Sequence, residues 1–187
     1  MTTLAAREAA SGADPGAGRA GLADPLLQPF TLGHLELRNR VVSASHEPSY
    51  TEDGMPKERY RRYHVEKARG GVGLTMIGGS SVVSPDSPPA FGNIEVHRDE
   101  VVPWLRALAD EVHDAGAAVM IQLTHLGRRS SNFSGDWLPL VYPSGRREPA
   151  HRSFPKVAEA WDVDRIVGHY VAAARRCHAA GLDGIEL

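Results

Sequence analysis

The chain has 187 residues, 42% hydrophobic and 24% charged, an ordinary globular composition long enough to bury one core. Its formal net charge of -2 supplies no positive field for nucleic acid or an anionic membrane, and neither partner is expected. A single cysteine, Cys177, excludes an internal disulfide framework and suits a reducing cytoplasm, and no apolar run approaches the roughly 18 residues of a membrane helix.

Residues 1–23 are rich in Ala, Gly and Arg and lack the apolar segment of a secretory signal, so they read as a disordered leader. Phe30-Thr31-Leu32 and Leu35-Glu36-Leu37 flank Gly33-His34 with alternating apolar residues, which predicts a short hairpin. Val41-Val42-Ser43-Ala44-Ser45 follows as a first buried strand. Tyr60, Tyr63, His64 and Lys67 then recur at helical spacing, up to Gly70-Gly71. A second strand is expected over Val72-Gly73-Leu74-Thr75-Met76-Ile77, with Gly78-Gly79-Ser80-Ser81 leading out of it. Val101, Trp104, Leu105, Leu108 and Val112 mark one face of a second helix that stops at Gly116.

The most informative stretch is Ala117-Ala118-Val119-Met120-Ile121-Gln122-Leu123-Thr124-His125-Leu126-Gly127-Arg128. It begins as the apolar run that a parallel strand buries on both faces. Near its end it carries Gln122 and His125, and the carboxyl ends of parallel strands are where α/β proteins hold ligands. Taken alone, Gln122 is more often a satisfied core amide than a ligand group. His125 divides evenly between a ligand contact and a loop hydrogen bond, Arg128 leans toward pairing with a loop carboxylate, and His46 divides evenly between substrate contact and packing. Residues from about 129 to 160 read as a long irregular functional loop, with Trp137 a candidate for its mouth. Ile166, Tyr170, Ala173, Ala174 and Cys177 form the buried stripe of a third helix, and Asp183-Gly184-Ile185-Glu186-Leu187 opens a fourth strand.

Strands that alternate with helices predict an α/β fold with a parallel sheet and right-handed crossovers. Four such strands after a hairpin correspond to the N-terminal half of a (β/α)8 barrel, here residues 24–187. With both sheet edges unpaired, the chain as given is expected to be a truncated half barrel without catalysis of its own. No metal site is expected: nine histidines are present without a His-Glu-x-x-His or Cys-x-x-Cys pairing. Gly71-Val72-Gly73 precedes a strand rather than following one, so it is no dinucleotide fingerprint.

Several ordered motifs resemble the old yellow enzyme family of FMN-dependent oxidoreductases. They are Asn39-Arg40-Val41-Val42, Tyr63 with Ala68-Arg69-Gly70-Gly71-Val72-Gly73-Leu74, Gln122-Leu123-Thr124-His125-Leu126-Gly127-Arg128, and Ala180-Gly181-Leu182-Asp183-Gly184-Ile185-Glu186. Ser45-His46, Gly78-Gly79-Ser80-Ser81 and His125-Leu126-Gly127-Arg128-Arg129 look most like the amine-demethylating branch of that family.

The resemblance implies a (β/α)8 barrel that binds FMN, with NAD(P)H as a candidate reductant. Gln122 would face the flavin's pyrimidine edge. Gly79 would keep the ring clear of a side chain, and Ala44 and Ser45 would lie on its O4/N5 side. His46 would orient or deprotonate a substrate amine, and His125 and Arg128 would bind substrate. The implied reaction is oxidative N-demethylation of a small N-methylated amine by hydride transfer to flavin N5, with NAD(P)H-dependent reduction of an activated alkene as the alternative. Glu47 stands where one branch carries a flavin-linking cysteine, so that link is not expected. A phosphate site and any iron–sulfur cluster would fall beyond Leu187, and the oligomeric state, a homo-oligomer included, is left open.

Overall fold

The computed structural model describes residues 24–87, 89–130, 139–150 and 152–187; the leader expected over residues 1–23 and the mouth residue Trp137 lie outside them. β1 (Phe30–Leu32) and β2 (Leu35–Leu37) pair antiparallel, and Gly33 takes the φ of +60° that a two-residue primed turn requires. β3 (Val42–His46), α1 (Glu58–Arg69), β4 (Leu74–Val82), α2 (Val101–Asp114) and β5 (Ala118–Thr124) follow. Then come β6 (Val141–Tyr142), β7 (Lys156–Val157), α3 (Ala160–Ala179) and β8 (Gly184–Glu186). β3, β4, β5 and β8 lie side by side in that order, every pair parallel, with α1, α2 and α3 as the three crossovers.

β5, expected as a run buried on both faces, instead alternates between a fully buried and a partly buried face. Val119, Ile121 and Leu123 are buried against the helices, together with Leu105, Leu108 and Val112 of α2, Tyr60, Val65 and Ala68 of α1, and Ala173 and Cys177 of α3. Met120, Gln122 and Thr124 point the other way, onto the concave face of the sheet. His64, expected only as part of a helical stripe, is wholly buried in the helix layer. Its Nδ1 meets Thr75 Oγ1 at 2.8 Å, and burial lowers its pKa to about 3, so it is a neutral core residue.

Two sequence expectations are corrected. β4 does not end at Ile77 but runs on to Val82, and Gly78-Gly79-Ser80 is a bulge inside it. The register with β5 jumps from Ile77↔Ile121 to Ser81↔Leu123. Paired glycines mark a bulge as readily as a turn, and Val82 resumes pairing with Thr124. Gly78 holds a φ of +82°, and a Cβ there would lie 2.7 Å from Ser81 Oγ. The irregular segment after β5 is also partly ordered. A short 3-10 turn, Gly127–Arg129, leads into it, and β6 and β7 pair parallel within it.

At the opposite, N-terminal end of the strands, Arg38 ties the layers together. Its guanidinium donates to Ala115 O at 3.0 Å, to Val72 O at 2.8 and 3.1 Å, and to Ala68 O. Ala68 and Ala115 carry carbonyls at the C-termini of α1 and α2, where a cation is favoured, and Ala68 O also accepts from Gly71 N–H at 3.0 Å.

Candidate functional site

On the concave face, side chains form layers. Met76 and Met120 are register partners, and Met120 pairs with Gly184 on β8, which has no side chain to offer. A Cβ at Gly184 would lie 2.8 Å from Met120 Cε, so glycine lets the methionine floor close. One step toward the carboxyl ends, Gln122 pairs with Glu186, and a polar cluster replaces the apolar floor. Glu186 Oε2 accepts from Gln122 Nε2 at 2.9 Å and from Ser45 Oγ at 3.3 Å. Three strands therefore contribute to one cluster at their carboxyl ends. Among the described residues, Gln122 Oε1 has no protein partner. That leaves the amide with one acceptor and one N–H for a ligand.

Ala44 and His46 are exposed along β3, and His46 is in register with Ile77 and Gly78 where β4 bulges. Gly79 passes close behind them, and a Cβ added there would sit 3.2 Å from Glu47 N. So Ala44, Ser45, His46, Gly79 and Gln122 all gather at the carboxyl end of the sheet.

Glu47, to which the sequence assigned no role beyond excluding a cysteinyl link, proves to be part of this rim. Its Oε1 accepts from Ser49 N–H at 2.8 Å and its Oε2 from the hydroxyl of the fully buried Tyr60 at 3.4 Å. Burial pushes its carboxyl up to about 7 against the opposing pull of those two donors. Burial also raises the Tyr60 phenol, which stays a donor to Glu47 while accepting from Gly78 N–H. The signal in the sequence was a carboxylate immediately after a strand-end histidine.

His125 and Arg128 are placed differently. The His125 side chain is 8% exposed; its Nδ1 accepts from Gly127 N–H at 3.1 Å, which puts the proton on Nε2, 3.2 Å from Asp86 Oδ1. Both nitrogens being engaged, this geometry prepares His125 to hold a loop rather than to meet substrate. Arg128 remains half-buried, with its guanidinium over the Tyr142 ring at 4.7 Å and a 3.4 Å bond to Arg146 O. Asp86 itself was not singled out by the sequence. It is 2% exposed and accepts from Ser84 Oγ, from His125 and from Arg165 Nη2 at 2.6 Å. Burial opposes its charge, but those three donors together hold its carboxyl well below the usual range. Its loop position gives no periodic signal, and Arg165 lies 79 residues away. Among the described residues, no group of three His, Cys, Asp or Glu side chains could hold a metal ion, and no helix is long and apolar enough to cross a membrane.

Comparison with known proteins identifies the family and the fold. The profile of the NADH:flavin oxidoreductase / NADH oxidase family matches residues 25–187. A probable N-methylproline demethylase of Rhizobium meliloti (strain 1021) is 61% identical over 164 residues, which are 88% of this chain and 24% of that protein. A multifunctional alkene reductase/demethylase OYE of Caballeronia cordobensis is 53% identical over 163 residues, 87% of this chain and 24% of that protein. Morphinone reductase, solved in complex with tetrahydroNAD, superposes with a TM-score of 0.79 at 26% identity and covers 87% of this chain and 48% of its own. The chain thus spans about a quarter of the length of the curated relatives it matches, and about half of the solved barrel.

Proposed function

Because the chain belongs to the NADH:flavin oxidoreductase / NADH oxidase family, we propose that its strands supply one wall of an FMN site in an oxidoreductase that demethylates a small N-methylated amine. The observation that carries this reading is the Gln122 amide on the concave face, with a free acceptor and a free N–H at the carboxyl end of the third strand. An isoalloxazine's pyrimidine edge offers an N–H between two carbonyls, which an amide matches. The donor set fits the ring in a second respect: Gly79 brings backbone without a side chain to the same rim, where even a Cβ would crowd Glu47 N. Bound FMN would supply the two-electron acceptor, at N5.

The chain's own residues would do the rest. Gln122 holds the pyrimidine edge, and Ala44, Ser45 and Gly79 shape the surface against which the ring lies. A secondary or tertiary amine is an ammonium near neutral pH, and its methyl carbon cannot lose hydride until the nitrogen lone pair is free. His46, exposed at the end of β3 and carrying an imidazole that can accept a proton, is proposed to take that proton. The iminium left on the substrate then adds water and releases formaldehyde. Arg128, stacked on Tyr142, is proposed to meet a substrate carboxylate. Both His125 nitrogens serve Asp86 and Gly127, which leaves none for substrate. A cytoplasmic location belongs to the same reading.

The names of two relatives include demethylase, and one of them also includes alkene reductase, so reduction of an activated alkene with NAD(P)H is the second reading. Anaerobic titration of the full-length, FMN-loaded protein separates the two. Bleaching by an N-methylated amino acid alone, with one formaldehyde per flavin, is the expected outcome. Bleaching by NADH or NADPH alone, followed by reoxidation with an enone, would instead select the alkene reductase. No bleaching by either would retire both.

A further inference from the structure

We propose that Glu186 is a positioning residue for the flavin: its carboxylate fixes which end of the Gln122 amide faces the pyrimidine edge and sets the charge beneath that edge. The inference rests on the FMN reading above. A carboxamide has two nearly isosteric ends, and turning it over exchanges donor for acceptor, so a site that reads a fixed pattern must lock it. An ionised carboxylate can only accept. Glu186 Oε2, 2.9 Å from Gln122 Nε2, therefore turns the nitrogen toward β8 and leaves Oε1 and one N–H for the ring. The same oxygen takes Ser45 Oγ at 3.3 Å, so one carboxylate oxygen registers groups from β3 and β5 against β8.

The placement has no packing rationale. Directly below lie Met76 and Met120, whose floor is closed by the missing side chain of Gly184, and an apolar side chain at 186 would continue that layer. A carboxylate at this point instead faces the side of the ring on which negative charge builds when it accepts hydride. It opposes reduction and so holds the flavin's potential down, while the donors beside it moderate the effect. Orientation and charge are separable effects, because orientation needs the oxygen at its present reach and charge needs only the ionised group.

The test uses the full-length, FMN-loaded protein, with FMN affinity from fluorescence and the two-electron midpoint potential as readouts. Glu186→Gln, which can donate as well as accept, is expected to weaken FMN binding about tenfold and to raise the potential by about a tenfold change in the redox equilibrium, or 30 mV for a two-electron couple. Glu186→Asp keeps the charge but withdraws the oxygen by one methylene. It is expected to lose affinity in the same way while holding the potential near the parent's. Combining Glu186→Gln with Gln122→Leu is expected to weaken binding no further than Gln122→Leu alone. Parent-like affinity and potential in Glu186→Gln, alongside a Gln122→Leu variant that shifts both, would overturn the positioning role and leave the FMN reading standing. A silent Gln122→Leu would remove the amide from the flavin edge, and the proposal would fall with it.

Discussion

At the end of β3, the Glu47 carboxyl is wedged between Ser49 N–H and the buried Tyr60 hydroxyl, and its pKa of about 7 has a consequence for stability. The raised value means that the folded protein holds this proton up to about pH 7, whereas the unfolded chain releases it near the model-peptide value of 4.5. Folding therefore takes up a proton between those two limits. The contribution of Glu47 is most favourable below about 4.5, declines as pH rises to about 7, and is flat above. Glu47→Gln keeps the shape and cannot ionise. In the full-length protein it is expected to remove that part of the slope and to leave the variant more stable than the parent at pH 8. The gain is about 1–2 kcal/mol once solvent screening at this partly buried site is allowed for. Denaturant unfolding at pH 5 and pH 8 measures it; equal slopes in variant and parent would show that the carboxyl is already solvated.

Among the elements, the loop after β4 is fastened to α3 by a chain of paired groups. Asp86 joins His125 and Arg165, Arg165 reaches Asp162 at 3.5 Å, and Asp162, 1% exposed, accepts from Lys156 Nζ at 2.5 Å and Glu159 N at 3.0 Å. From the loop's other side, Ser84 donates to Asp86 and meets His169 Nδ1 at 2.7 Å. Asp86→Asn places an N–H among three donors and is expected to destabilise by about 2–3 kcal/mol. The parent's contribution is present above the usual carboxylate pKa and fades as pH falls below it, so the gap between parent and variant should close toward pH 2; a constant gap would deny the carboxylate its role. This network also marks where the sequence stopped being legible. Helix ends at Gly70, Gly116 and Gly181 and the hairpin about Gly33 could be read locally, because period and turn chemistry are local. The Ser45 and Glu186 contact spans 141 residues and depends on the curvature of the sheet, and the Gly78-Gly79 bulge is decided by what Val82 pairs with afterwards. Such pairings have no local signature.

For the molecule as a whole, the four-stranded sheet has β3 at one edge and β8 at the other, each with a single partner. Val42 on the β3 edge is 46% exposed, and Val163, Val167 and Val171, spaced four apart, form an exposed apolar stripe along α3. Unpaired edges beside an apolar stripe favour association with other chains. The concave face that gathers Ser45, Gln122 and Glu186 has strands on one side only, whereas the solved barrel to which it is similar is about twice as long. A ring of flavin size needs both walls to exclude water from its contacts. A polypeptide of these 187 residues, produced alone, is therefore expected to elute as oligomers on size-exclusion chromatography and to retain no FMN after desalting. Co-production with the strands that complete the barrel is expected to give a single, smaller, yellow species. A monodisperse 187-residue protein that keeps FMN at one per chain would mean that four strands suffice to enclose the cofactor, and that the wall proposed here is already the whole site.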